Sequence, residues 1–176
     1  MKNNTLLGVI FIITLQIQAQ QTTSIADFGT VFKIEKPDLL LAKNTVYKVV
    51  FDVFTDGKKK SKKNASVVTV ARYIHMHLQQ GVPKANLKVA LVLHGAATKN
   101  ALNDATYLEK YGKENPNSTL LHALKQANVD IFVCGQSLYA KGYKEEQTST
   151  DVRVSLSALT ALVYFQTEGY QQINFN

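Results

Sequence analysis

Three short runs of apolar residues recur along the chain, and each is followed by a polar or glycine-containing turn. They are 46–54 (VYKVVFDVF), 87–93 (LKVALVL) and 129–134 (VDIFVC). Runs of this length that are rich in β-branched and aromatic residues, and apolar almost throughout, are typical of strands buried on both faces. The pattern therefore predicts three central strands of a parallel sheet.

The segments between these runs have the periodicity of helices. Asn64 or Ser66 is suited to cap a helix that carries apolar residues at helical spacing as far as Leu78, and Gly81 stops it. The other predicted elements are helical fragments over 100–111, a helix over 118–127, a loop over 136–150, a brief strand over 152–154, a helix over 155–168 and a last strand over 170–175.

Buried strands that alternate with helices predict an α/β fold. We expect a three-layer α/β/α sandwich with a mostly parallel sheet of about five strands and right-handed crossovers. The helix predicted over 155–168 has apolar residues around almost its whole circumference, which indicates burial on more than one side. In a domain this small, the second buried side predicts a subunit interface and hence a homo-oligomer.

The first residues have the pattern of an export signal. Lys2 gives a basic start, residues 6–15 are apolar with one exception, and Ala19 is a small residue suited to cleavage. The apolar run is shorter than the ~20 residues that span a bilayer; the alternative is a buried N-terminal strand or helix. We therefore predict a signal peptide over 1–19, a lead-in over 20–44, a single domain over 45–176, and an exported, periplasmic protein without a membrane anchor.

Composition narrows the possible functions. The chain has 176 residues, a net charge of +7 and one cysteine, which excludes an internal disulfide framework and a zinc site made of several thiolates. A positive charge suits nucleic acid, an anionic membrane or an anionic substrate. Nucleic acid is disfavoured because the aromatic residues do not interleave with the basic ones.

Two groups of charged residues carry little specific information. Lys58, Lys59 and Lys60 begin a lysine-rich run that lacks the glycine spacing of phosphate-binding loops, so a flavin or nucleotide binder is disfavoured. The run is interpreted either as a solvated loop or as a rim that attracts anions. His75 and His77 are two residues apart on a predicted helix and point in different directions, so no metal site is predicted.

Reactive side chains occur where predicted strands end. Ligands of open parallel sheets bind at the carboxyl ends of strands, where His94-Gly95 and Cys134-Gly135 lie. Backbone N–H groups after Cys134 would stabilise its thiolate, the reactive form; the alternative is a small buried apolar residue. His94 is either a base, an ion-pair partner or a histidine bonded to the backbone.

Four segments together resemble the DsrE/DsrF-like sulfur-relay proteins. They are KVVFDV at 48–53, LKVALVLHG at 87–95, VDIFVCGQSLYAKGY at 129–143 and EGYQQINF at 168–175. The resemblance implies a small flavodoxin-like sandwich that assembles as homo- or hetero-oligomers, commonly trimers or hexamers. It also implies that the cysteine of VCGQSL, here Cys134, accepts sulfane sulfur as a persulfide. The His-Gly pair after the second strand, here His94-Gly95, recurs in the family.

The resulting hypothesis is an exported persulfide carrier or sulfurtransferase. Cys134 would take sulfane sulfur from a donor and pass it to an acceptor, and these partners are proteins or small sulfur anions. No cofactor is expected, because sulfur itself is the cargo. The residues assigned to the site are Cys134 and His94 as catalytic groups and Gly95, Gly135, Lys58, Lys59 and Lys60 as the substrate or anion site. The alternative is a non-catalytic oligomeric binding or scaffold module with a structural Cys134 and an anion-binding lysine loop.

Overall fold

A computed structural model of the chain describes residues 24–57 and 61–175. The predicted signal peptide over 1–19 lies outside these residues, and so do Lys58, Lys59 and Lys60. The division into signal peptide, lead-in and domain therefore stays a prediction.

Among the described residues, five parallel strands form a single sheet. They are β1 (Tyr47–Val53), β2 (Leu87–Leu93), β3 (Val129–Cys134), β4 (Arg153–Ser155) and β5 (Gln171–Asn174), in the spatial order β4-β3-β2-β1-β5. The predicted α/β fold with a parallel sheet of about five strands is confirmed. A flavodoxin sheet has the order 2-1-3-4-5. Here the strands instead step outward from β1 to β4 in chain order, and β5 alone lies on the other side of β1.

In the described part of the chain, five α-helices connect the strands. They are α1 (Ala65–Gln79), α2 (Asp104–Tyr111), α3 (Ser118–Gln126), α4 (Gly135–Ala140) and α5 (Ala158–Thr167). Short 3-10 segments occupy Ile25–Asp27, Lys84–Asn86, Gly95–Ala101 and Glu145–Gln147. Asn64 caps α1, as its position predicted, because its side chain accepts a hydrogen bond from the Ser66 N–H.

Two predicted boundaries are wrong. The segment predicted as a loop over 136–150 begins with α4, whose first turn is capped by the Cys134 side chain. The helix predicted from Ser155 begins at Ala158, because Ser155 belongs to β4 and Ser157 is the N-cap of α5. Both differences fall next to the end of β3.

The two faces of the sheet are covered unequally. The larger core includes Phe51 and Leu91 from the strands, with Val70 of α1 and Leu121 of α3 packed on the same side. The opposite face carries Val50, Ala90, Val92 and Cys134, on which α5 packs through Ala158, Ala161 and Phe165. The chain advances in one direction from β1 to β4 and returns to β5, so right-handed crossovers place α5 on the face opposite to the earlier helices.

The outer side of α5 is apolar and exposed. Leu159, Val163 and Tyr164 of this helix are exposed, and so is Leu156 just before its N-cap; we refer to these four residues as the α5 patch. Within the described part of the chain, none of the helices combines the length and the apolar character needed to cross a membrane.

Candidate functional site

The strand register brings Cys134 and His94 side by side. Leu93 of β2 is paired with Val133 of β3, and His94 continues β2 in an extended conformation, with φ −152° and ψ −177°. The next pair in this register is therefore His94 and Cys134, on neighbouring strands whose backbones are ~4.8 Å apart. Cys134 belongs to the cluster on the α5 face, and His94 continues the alternation of Ala90 and Val92 on that face, so both residues lie on the same face at the same edge of the sheet.

The Cys134 sulfur occupies the N-cap position of α4. It accepts a hydrogen bond from the backbone N–H of Ser137, with 3.4 Å between nitrogen and sulfur. The first N–H groups of a helix have no partners within the helix and carry its positive dipole end, which favours a thiolate at this place. Cys134 is only 4% exposed, so it is surrounded almost entirely by protein groups.

Opposing influences set the pKa of the Cys134 thiol. Burial, the largest of them, raises this pKa because it disfavours the charged form. Hydrogen bonds lower it: the Ser137 hydroxyl contributes most, followed by the backbone N–H groups of Ser137, Ala158 and Gln136. The net result is a pKa below the ordinary value of a cysteine.

A second helix also reaches this sulfur. Ala158, whose backbone N–H donates to the sulfur, is the first residue of α5. The helix before β4 and the helix after it therefore both present N–H groups to Cys134. Gly135 permits the close packing that this requires. A Cβ atom at Gly135 would lie 2.8 Å from the carbonyl oxygen of Ser155 and 3.3 Å from that of Leu156.

His94 is held by a carboxylate from the central strand. Its Nε2 lies 2.7 Å from Oδ1 of Asp52. The other carboxylate oxygen, Oδ2, accepts hydrogen bonds from Gln172 Nε2 at 2.9 Å and from Asn174 Nδ2 at 3.4 Å. The Asp52 side chain is 8% exposed and that of His94 is 25% exposed, so the imidazole connects a buried carboxylate to solvent.

The Ser137 hydroxyl connects the part of the site around Cys134 with the part around His94 and Gly95. The backbone N–H of Gly95 donates to Oγ of Ser137 at 3.2 Å, and the same hydroxyl is hydrogen-bonded to the Cys134 sulfur. Gly95 has a φ of +53°, a conformation that favours glycine, and it turns the chain sharply after His94. The turn aims its N–H at Ser137.

The structure brings together four of the residues that the sequence indicated, namely Cys134, Gly135, His94 and Gly95. The three candidate lysines lie outside the described residues, and the next described residues of that loop, Ser61–Lys63, are exposed. Asp56, which follows β1, forms a largely buried ion pair with Lys99.

Sequence reasoning missed Asp52 and Ser137. Asp52 is a buried acidic residue among the apolar residues of 49–53 in β1, and that interruption was an available clue. Ser137 stands three residues after Cys134, which is the distance from an N-cap to the N–H group that it binds. Within the described ranges, no group of three or more His, Cys, Asp or Glu side chains is placed to hold a metal ion.

Comparisons with known proteins agree with this architecture. A sequence model of the DsrE/DsrF-like family matches residues 48–175. No curated protein matches the chain significantly. Two solved structures share its fold: the protein of unknown function MTH1491 from Methanobacterium thermoautotrophicum, with 19% identity, and the ychN protein from E. coli, with 18% identity. For each, the TM-score is 0.54 and the match covers 73% of this chain and 99% of the other. Because the family match spans β1 to β5 and includes the Cys134 site, the chain belongs to the DsrE/DsrF-like family.

Proposed function

We propose that this protein carries sulfane sulfur as a persulfide on Cys134 and passes it to an acceptor thiol or a small sulfur anion. The observation that carries the proposal is the setting of the thiol. Cys134 lies at the carboxyl end of a central strand, where a hydroxyl and three backbone N–H groups lower its pKa. The family to which the chain belongs suggests the sulfur-relay type of chemistry.

The transfer needs no oxidant and no cofactor. The Cys134 thiolate attacks the outer sulfur of a donor persulfide, R–S–SH; a new S–S bond forms to Cys134, and the bond between the two donor sulfurs breaks. The donor leaves as a thiolate and takes up the proton that Cys134 gave away. The products are Cys134–S–SH and R–SH, and an acceptor thiolate reverses the same steps to collect the sulfur.

Intact mass spectrometry tests the proposal directly. Incubation of the protein with inorganic polysulfide should add about 32 Da, one sulfur atom, and a reducing agent should remove it. The Cys134→Ser variant should show no such gain, and because the chain has one cysteine this control is complete. A native protein that gains no mass under conditions where a small-molecule thiol does would contradict the proposal.

The burial of Cys134 supports a second candidate, a binding or scaffold module in which the thiol is structural. A cysteine that is 4% exposed and belongs to the same buried apolar cluster as Ala90 and Val92 could serve as a small apolar residue. Alkylation distinguishes the two candidates. A carrier thiol reacts with iodoacetamide in the native state, whereas a structural thiol reacts only after a denaturant is added.

Assembly and location belong to the same proposal. We expect a homo-oligomer, a trimer or a hexamer, that buries the α5 patch, because exposed apolar groups of this kind mark protein interfaces. We expect export to the periplasm through the segment over 1–19. Lys58, Lys59 and Lys60, with the exposed Lys62 and Lys63 beside them, would attract anionic sulfur donors.

A further inference from the structure

We infer that His94 is the proton acceptor for the Cys134 thiol and that Asp52 is the positioning residue that orients His94 for this task. The inference rests on the proposed function for its biological meaning. It adds to that function the route by which the thiol proton leaves and returns.

The contacts of Asp52 determine which imidazole nitrogen is available. An ionised carboxylate is an acceptor only, so the His94 nitrogen that faces it, Nε2, must carry a hydrogen. In the neutral ring, the other nitrogen, Nδ1, is then left as the base. Asp52 itself is held by the side-chain amide groups of Gln172 and Asn174 from β5, which donate to its other oxygen, Oδ2.

The surroundings of His94 support exchange of a proton with the thiol. Asp52 of β1 contacts it, and the strand register places Cys134 of β3 on its other side. The Phe54 ring, which is uncharged, lies 5.8 Å from the imidazole between ring centroids, and the next residue, Gly95, donates its N–H to Ser137. The partial exposure of His94 lets the proton equilibrate with water between turnovers.

The proton balance follows from this placement. Nδ1 of His94 accepts the proton of Cys134 as the thiolate forms, and the resulting imidazolium is stabilised by Asp52. When the donor thiolate leaves, the imidazolium returns the proton to it, so His94 ends the transfer neutral. An imidazolium beside a thiolate also favours the thiolate electrostatically.

Alkylation of Cys134 with iodoacetamide across pH 5.5 to 9.5 tests the inference without any sulfur transfer, since the chain has one thiol. In Asp52→Asn, the new amide donates to Nε2 and forces the hydrogen onto Nδ1, which removes the base. We expect the midpoint of the rate profile to rise by about one pH unit, equivalent to ~10-fold slower alkylation near neutral pH. His94→Gln should shift the profile in the same direction.

The double variant separates positioning from structure. If Asp52 acts through His94, Asp52→Asn should add no further shift in the His94→Gln background. Asp130→Asn is the matched control, because Asp130 is another strand carboxylate but lies at the opposite end of β3 and pairs with Arg153. Its profile should match that of the native protein. Circular dichroism and thermal melts check that each variant is folded.

Two results would overturn the inference: an Asp52→Asn profile that superimposes on the native profile, or equal additional slowing of alkylation by Asp52→Asn with and without His94. Failure of the proposed function would look different. Native protein that gains no sulfur while Asp52→Asn still shifts the alkylation profile would remove the persulfide proposal and leave the proton-acceptor assignment standing.

Discussion

The Ser137 side chain makes the strongest single hydrogen-bond contribution that lowers the Cys134 pKa. Removal of its hydroxyl in Ser137→Ala takes away one of the groups that oppose the effect of burial, and burial raises the pKa. A hydrogen bond to a charged group is worth ~1.5–3 kcal/mol, so we expect the pKa to rise by about one unit. Because a depressed thiol pKa keeps the thiolate at all pH values above it, reactivity is lost as pH falls through that pKa. In Ser137→Ala, this loss should occur at higher pH.

The matched control for this change is Ser155→Ala. The Ser155 hydroxyl lies on the neighbouring strand but donates to the carbonyl oxygens of Val133 and Ser157, both at 3.2 Å, so its removal should leave the thiol pKa in place. The measurement is the pH profile of Cys134 alkylation in both variants. Identical shifts in the two variants would show that general loosening of this edge, and not the Ser137 hydrogen bond, controls the thiol.

The close approach between the start of α4 and β4 makes Gly135 a structural requirement. In Gly135→Ala, the added methyl group would lie 2.8 Å from the Ser155 carbonyl oxygen. This oxygen is a backbone atom of the edge strand β4, so the contact can be relieved only if β4 moves. We expect a loss of about 1–3 kcal/mol in the free energy of unfolding, measured with urea. Gly57→Ala, where no atom lies within 4 Å of the new Cβ, should change it by no more than ~0.5 kcal/mol. Equal stability of the two variants would contradict this packing argument.

Helices and strands differ in how far the sequence could predict them. The bounds of β2 and β3 were predicted to the residue, because continuous apolar runs bounded by turns define buried strands. Helix α4 was missed since it has six residues, begins with glycine and is capped by a thiol, which is not among the usual N-cap groups. The start of α5 was misplaced because Ser155 and Ser157 are equally plausible N-caps in the sequence. In the structure, Ser155 is part of the edge strand β4, which leaves Ser157 as the N-cap.

The candidate site was predictable only in part, for a similar reason. Cys134 and His94 could be proposed because strand ends converge at one edge of a parallel sheet. The roles of Asp52, Gln172 and Asn174 depend on the pairing of β1 with β5, which no local pattern specifies. Ser137 required knowledge of a helix too short to have a hydrophobic period. The residues that hold the reactive groups were therefore harder to find than the reactive groups themselves.

At the scale of the whole molecule, the α5 patch leads to a prediction about assembly. Leu159 is 78% exposed and contributes little to the folded subunit, so Leu159→Arg should leave its thermal stability nearly unchanged. A charge in a buried interface is costly, and we expect this variant to dissociate to monomers in light scattering coupled to size exclusion. Leu108→Arg is the control, since Leu108 is a half-exposed leucine on α2, away from the α5 patch. A native protein that is monomeric at tens of micromolar would contradict the prediction.

The pairing of β5 with β1 links the reactivity of the thiol to the completion of folding. Asp52 and its amide donors are 120 and 122 residues apart in sequence, and contacts of such long range form late because loop closure costs entropy before any contact compensates for it. Helix α5, which supplies the Ala158 N–H to Cys134, precedes β5 in the chain and packs on the sheet face that carries Cys134. A chain whose last strand has not docked therefore lacks the contacts that hold Asp52 against His94, and we expect the proposed proton acceptor of the site to be assembled only when β5 is in place.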